Sequence, residues 1–358
     1  MTDLERSLIA TIAWFDMSDY PLTAWEAWKW RISLPNGSNR SRPVITIGDK
    51  SRLVATDVTY LDVLQTLQKL VDKGILRSKW SFFFLPVREP IVEIRRKRYL
   101  LARDKFKRAR WVVRILRRIP WVRMISVCNS LGYANAALAS DIDLFIITAP
   151  RRVWTVRAMA LAFLRLFHLR PLLMRFGARK DEKQDRIDLT FFVDETALDL
   201  SSLMLREEFP ISNFQFPNKS QIQNSNDQKV FDTVPDPYLS YWIVQQTPLS
   251  DRGGCYKKFW DANARLRAPL PRAGPYITNS LREVRGDNYI RYLLQALFFW
   301  MPEQWWESIE LALMPARLKQ GLGGTGVVLS NHVLKFHDID PRRKLRERWI
   351  TLMNGFGL

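Results

Sequence analysis

Cysteine is scarce in this chain, and the scarcity excludes two kinds of architecture. The only two, Cys128 and Cys255, sit in unrelated contexts with no CxxC and no Cys/His spacing. Neither a disulfide framework nor a zinc site is expected, and a reducing cytoplasm fits best. A charged leader with an apolar core is also missing, because Asp3 and Glu5 precede a short amphipathic run; no secretion signal is expected. Long apolar runs are absent too. The most apolar stretch, residues 289–314, is broken by Pro302, Glu303, Glu307 and Glu310, so it reads as a buried or interfacial helix pair and not a membrane span. Acids are in short supply, 36 against 55 Lys and Arg, for a formal net charge of +19. Such an imbalance implies a polyanionic partner: nucleic acid, nucleotides or anionic lipid.

What the chain does contain is organised in blocks. Its 358 residues favour two or three domains. Apolar spacing predicts helices over 4–16, 22–32 and 57–73, the third capped by Asp57 and closed by Gly74, followed by a hairpin of ILRSK and FFFLP around Trp80-Ser81. Three short helices and a hairpin form the layout of a winged helix-turn-helix, assigned to 1–88. Its third helix carries only Lys69 and Lys73 as cations, which favours packing over DNA readout. Residues 89–121 are a basic helical connector; from Arg95 to Arg123 there are 13 Lys or Arg against the single acid Asp104. That run is the candidate contact for nucleic acid.

The pattern then alternates strand, helix, strand over 122–211, with strands at 124–128, 142–148 and 187–193 and a helix over 152–168, as an α/β core does. Residues 212–234 are rich in Asn, Gln, Ser and Lys and read as a flexible linker or loop. Residues 235–358 have helical apolar spacing and are expected to form an all-helical domain. The tryptophans, among them Trp25, Trp28 and Trp30, read as core or interface. His332, His337 and His168 read as structural or surface residues and not metal ligands.

One constellation carries chemistry. Asp141 and Asp143 open an apolar strand two residues apart, so their side chains share a face. Two adjacent carboxylates repel unless a cation lies between them, and Mg²⁺ or Mn²⁺ takes such hard oxygen donors. Asp188 begins a later strand in which Asp188, Thr190 and Phe192 are expected to share a face, and it supplies a third carboxylate; Asp185 and Asp194 sit at that strand's edges. Ser130 ends the first strand where a helix begins, a place suited to holding phosphate. An isolated Asp-x-Asp is an ordinary solvated strand end. Ser130 ahead of it and Asp188 after it distinguish this one.

Cys128-Asn129-Ser130, ten residues, then Asp141-Ile142-Asp143, with Ser140 before the pair and Leu144 after it, resembles the polymerase-β-like nucleotidyltransferase superfamily. Its pattern is Gly-Ser or Gly-Gly, a spacer, then Asp-x-Asp or Asp-x-Glu between apolar residues. Asn129 stands where that family has its first glycine, and Asn is the residue other than glycine that best tolerates a left-handed backbone. The segment Trp14-Phe15-Asp16-Met17-Ser18-Asp19-Tyr20-Pro21-Leu22-Thr23 is similar to a phrase found in bacterial proteins that join a winged helix to a nucleotidyltransferase domain. The resemblance implies two metal ions on Asp141, Asp143 and Asp188, and a nucleoside triphosphate held near Asn129, Ser130, Gly132 and Ser140. Gly132 would relieve crowding beside Asn129, and Arg151, Arg152 or Arg157 would add positive charge. It implies transfer of a nucleoside monophosphate to a hydroxyl with release of pyrophosphate. A non-catalytic nucleic-acid-binding or nucleotide-sensing regulator is the alternative.

Overall fold

The first helix owes its start to a reciprocal pair of hydrogen bonds. In the computed structural model, which describes residues 1–34, 58–166, 186–205, 234, 236–277, 281–286, 289–337 and 340–357, α1 (Asp3–Asp16) is opened by Thr2 and Glu5 in a capping box. The same device, Thr23 with Glu26, opens α2 (Ala24–Lys29). Helix was expected from residue 22, but Leu22 and Thr23 form strand β1 (Leu22–Thr23), paired with Phe83 and Phe82. Thr59 caps α3 (Tyr60–Asp72); Asp57, the expected cap, lies outside the described residues. Gly74 follows with a φ of 73°. Strands β2 (Arg77–Lys79) and β3 (Phe82–Phe84) form the hairpin. Its turn residues Trp80 and Ser81 take φ of 51° and 63°, the left-handed pair that two-residue hairpin turns need. The small sheet runs β1-β3-β2.

The Trp14 to Thr23 phrase is a joint. Asp19, at φ 53°, accepts from Arg88 at 2.6 Å and Arg98 at 3.1 Å. Arg88 also bonds Asp16 at 3.0 Å, and Arg98 donates to the Ser18 carbonyl. Arg95 pairs with Glu26 at 2.6 Å and stacks over Tyr20. These arginines belong to α4 (Ile91–Leu116) or the turn before it, so part of the basic run ties the amino-terminal elements down. Lys105, 4% exposed, is likewise internal. Arg96, Arg103, Lys107 and Arg114 are exposed.

Next come β4 (Val122–Val127), α5 (Asn129–Gly132), β5 (Ile142–Thr148), α6 (Val153–Leu166) and β6 (Ile187–Asp194). Then follow α7 (Pro237–Val244), β7 (Thr247–Asp251), α8 (Cys255–Ala262), α9 (Ala264–Arg267), α10 (Tyr289–Phe298), α11 (Glu303–Ala312), α12 (Ala316–Gln320), β8 (Val327–Leu329), β9 (Val333–Phe336) and α13 (Arg342–Asn354). The fold is mixed α/β, with a six-stranded sheet in the order β7-β4-β5-β6-β9-β8. Among the described residues, β5 with β6 is the one parallel strand pair. Residues 235–358 are therefore not all helical: they supply three of the six strands. Those strands are three to five residues long, too short for periodicity to register. Pro248 within β7 is tolerated because β7 is an edge. The expected linker, apart from Val234, and the end of the 152–168 helix with His168 and Asp185 fall outside the described residues.

Strand β5 is covered on both faces. Ile142, Leu144 and Ile146 join a core with α4 and α6, whereas Phe145 and Ile147 join one with α1, α7 and α8. Asp143 thus shares the second face, the side of the amino-terminal elements.

Candidate active site

In the parallel pair, Asp143 of β5 lies directly opposite Asp188 of β6, and neighbouring strands run about 4.8 Å apart. Asp141 sits two residues earlier, just ahead of β5. The register shifts between Asp143 and Phe145, which places Phe191 on the Asp188 side and Phe192 on the other. The expected common face of Asp188, Thr190 and Phe192 is broken by that irregularity, but Asp188 itself keeps its place beside Asp143.

Electrostatics follow from the crowding. Burial and then the charge of Asp188 push the Asp143 carboxyl up to about 7, with Asp141 adding and the Asn129 hydrogen bond and Arg186 opposing. Arg186 reaches Asp141 at 3.5 Å and is the cation that serves the acids. His337, which burial holds below the ordinary histidine range, is electrostatically coupled to Asp188. The Cys128 thiol, raised by burial and by Asp143 and Asp188, stays protonated.

Asn129 has the left-handed backbone its position asks for, with φ of 53°. Its Oδ1 accepts from the Tyr238 hydroxyl at 3.2 Å and its side chain also bonds Asp143. Asn129 and Ser130 line a cavity of about 100 Å³ together with Trp14, Tyr133, Tyr238 and Trp242. Ser140 shapes the approach to Asp141. Its hydroxyl donates to the Ala137 carbonyl at 2.8 Å, and its own carbonyl accepts from buried Lys105 at 2.7 Å, so it closes the turn that delivers Asp141. At Gly132 a Cβ would stand 2.6 Å from the Gln245 carbonyl, so its bareness serves packing against the segment leading to β7.

The opposite end of β5 holds the residues that belong elsewhere. Asp194 accepts from the Arg151 backbone N–H at 2.8 Å, from Thr196, and pairs with His332 at 2.8 Å. Arg152 stacks on Trp121, and Arg157 pairs with Glu310 and stacks on Phe336. None of the three arginines reaches the acids: they follow the far end of a seven-residue strand, about 20 Å away. Sequence reasoning offers Arg186 as a partner for its neighbour Asp188 but missed its contact with Asp141. It also missed Tyr238, which no motif marks.

Among the described residues, no three His, Cys, Asp or Glu side chains are already disposed as ligands of one metal ion; Asp141 leans on Arg186 and Asp143 on Asn129. The donor chemistry is nevertheless that of Mg²⁺ or Mn²⁺: carboxylates, with the neighbouring thiol protonated. No helix among the described residues is long and apolar enough to cross a membrane. Comparisons with family models, with curated proteins and with solved structures find no match for this chain.

Proposed function

We propose that this chain is a metal-dependent nucleotidyltransferase that moves a nucleoside monophosphate from a nucleoside triphosphate to a hydroxyl acceptor and releases pyrophosphate. Asp141, Asp143 and Asp188 would hold two Mg²⁺ or Mn²⁺ ions. The reading is carried by one observation: Asp143 and Asp188 face each other across the parallel β5–β6 pair, with Asp141 two residues away. Like charges crowded at a partly buried strand start disfavour the apo state and favour one that includes cations. When bound, the ions neutralise charge on the triphosphate and favour ionisation of the attacking hydroxyl. Asp143, raised to about 7, would give up its proton as a cation bound, and Asp188 would hold the ion nearest the acceptor and help its hydroxyl lose a proton. The Ser130 hydroxyl would donate to a phosphate oxygen, and Arg186 contacts Asp141 at 3.5 Å.

A nucleotide sensor without turnover is the second reading, favoured by the Asn129 side chain, which occupies the space between Tyr238 and Asp143. Incubation with Mg²⁺ or Mn²⁺ and each labelled triphosphate separates the two. Pyrophosphate release that falls roughly 10³-fold in Asp143→Ala supports the enzyme. Metal-dependent nucleotide binding without release supports the sensor, and no nucleotide binding at all defeats both.

A further inference from the structure

Helix α4 commits its apolar side to the core, where Ala102, Phe106, Ala109, Val112, Val113 and Leu116 are buried. What it turns outward is cationic. Arg96, Lys97, Arg103, Lys107, Arg108 and Arg114 are exposed, against two exposed acids in the helix, Glu93 and Asp104. Those acids offset little of the charge: Asp104 is shared by Lys107 at 2.9 Å and Arg103 at 3.8 Å, and Glu93 stands 3.5 Å from Arg96 with both side chains at least half exposed. Arg96, Arg103, Lys107 and Arg114 fall within about 40° of arc, at roughly 100° per residue, and span about 27 Å of the helix. Aromatic rings are set into the same surface. Tyr99 is 60% exposed, Trp111 44%, and Trp80, in the turn of the β2–β3 hairpin, 56%. Arg96 lies over the Trp80 ring at 4.8 Å, which joins the hairpin to the cationic stripe.

Cations alternating with exposed rings along a line select the partner. A phosphodiester strand with unpaired bases meets both, because its phosphates accept from Arg and Lys while its bases stack on the rings. A duplex would meet the cations, but its bases are already stacked on one another. An acidic polypeptide would likewise leave the rings without flat partners. An anionic bilayer takes up the apolar face of a helix, and α4 has already committed that face to the core. At about 3.4 Å per nucleotide, a stripe of about 27 Å accommodates about eight stacked nucleotides.

We infer that the exposed face of α4, together with Trp80, is a track for single-stranded nucleic acid, with phosphates on the cations and bases on Trp80, Tyr99 and Trp111. It does not depend on turnover at the three acids. Fluorescence anisotropy of the full chain with labelled RNA and DNA strands of about twelve nucleotides, and with the matching duplex, tests it in EDTA, which keeps metal chemistry at the acids out of the measurement. The strands are expected to bind at least roughly tenfold more tightly than the duplex, with log K falling against log salt at a slope of about −3 for roughly four phosphates neutralised. Arg103→Gln combined with Lys107→Gln lowers affinity roughly tenfold and brings the slope to about −1.5. Tyr99→Ala lowers affinity roughly tenfold and leaves the slope unchanged. Thermal unfolding stays the same in both variants, as these side chains are exposed. Tighter binding of the RNA or of the DNA strand supports the inference and identifies the source of the ligand. The inference is overturned by no binding to either strand, by duplex affinity equal to that of the strands or higher, or by variants that bind as the parent does. It is equally overturned if polyglutamate or phosphatidylglycerol vesicles compete as well as an unlabelled strand.

Discussion

The two ends of the β5/β6 pair hold the same kind of residue in opposite circumstances. At one end Asp194, fully buried, would be raised by burial, yet hydrogen bonds from Thr196, the Arg151 backbone and His332 carry it below the ordinary carboxylate range. At the other end Asp143 is raised to about 7, because burial acts together with Asp188 and Asp141 and only Asn129 and Arg186 oppose. Burial alone does not separate a structural acid from a chemical one. What separates them is whether the fold supplies donors or further acids.

The sharpest way to break this contrast is to remove each acid in turn. Asp143→Ala is expected to leave the fold intact and to abolish metal-dependent pyrophosphate release, a fall of roughly 10³-fold. Asp194→Ala is expected to do the reverse, costing about 3 kcal/mol of stability by leaving the Arg151 N–H and Thr196 unpartnered, with the folded fraction still active. Urea unfolding alongside the release assay distinguishes them, and equal effects on both readouts would erase the contrast.

Titration gives a smaller effect with a definite sign. Because the folded Asp143 carboxyl binds its proton more tightly than the unfolded one, the native state holds more protons between pH about 4 and about 7. Stability without divalent cations therefore falls as pH rises through that window. The loss is expected to be about 1–2 kcal/mol, a few degrees in Tm, and absent in Asp143→Asn. Asp194 acts oppositely, its contribution disappearing as pH falls below its depressed value. Added Mn²⁺ is expected to raise Tm more at pH 8 than at pH 5, and not at all in Asp143→Ala. The smallest effect is at Asn129. Asn129→Gly keeps the left-handed backbone and should cost under about 1 kcal/mol, while nucleotide affinity rises a few fold as the bridge between Tyr238 and Asp143 is lost. Unchanged or weaker affinity, measured by calorimetry, would show that Asn129 crowds nothing.

Legibility in the sequence followed the length and regularity of each signal. β5 is a seven-residue apolar run opened by an acid pair, and its observed bounds coincide with those read from the sequence. The left-handed turn at Asn129 was also legible, because few other residues adopt it. The strands β7, β8 and β9 were hidden by shortness, and β7 by its proline as well. Arg151, Arg152 and Arg157 were misplaced because closeness in sequence ignores the direction of a strand, whereas Arg186 precedes β6 and lands at the acidic end. The place of Gly132 depends on a carbonyl 113 residues later, which no local pattern encodes.

Trp349 of α13 donates its indole N–H to the Ala10 carbonyl at 2.9 Å and meets the edge of Trp14. Helix α1 thus finishes its packing against a residue translated 339 positions later. At ribosomal speeds of roughly 5–20 residues per second, α1 waits on the order of half a minute with Trp14 and its neighbours uncovered. The order of synthesis is not the order of completion: α1 stays open until α13 arrives.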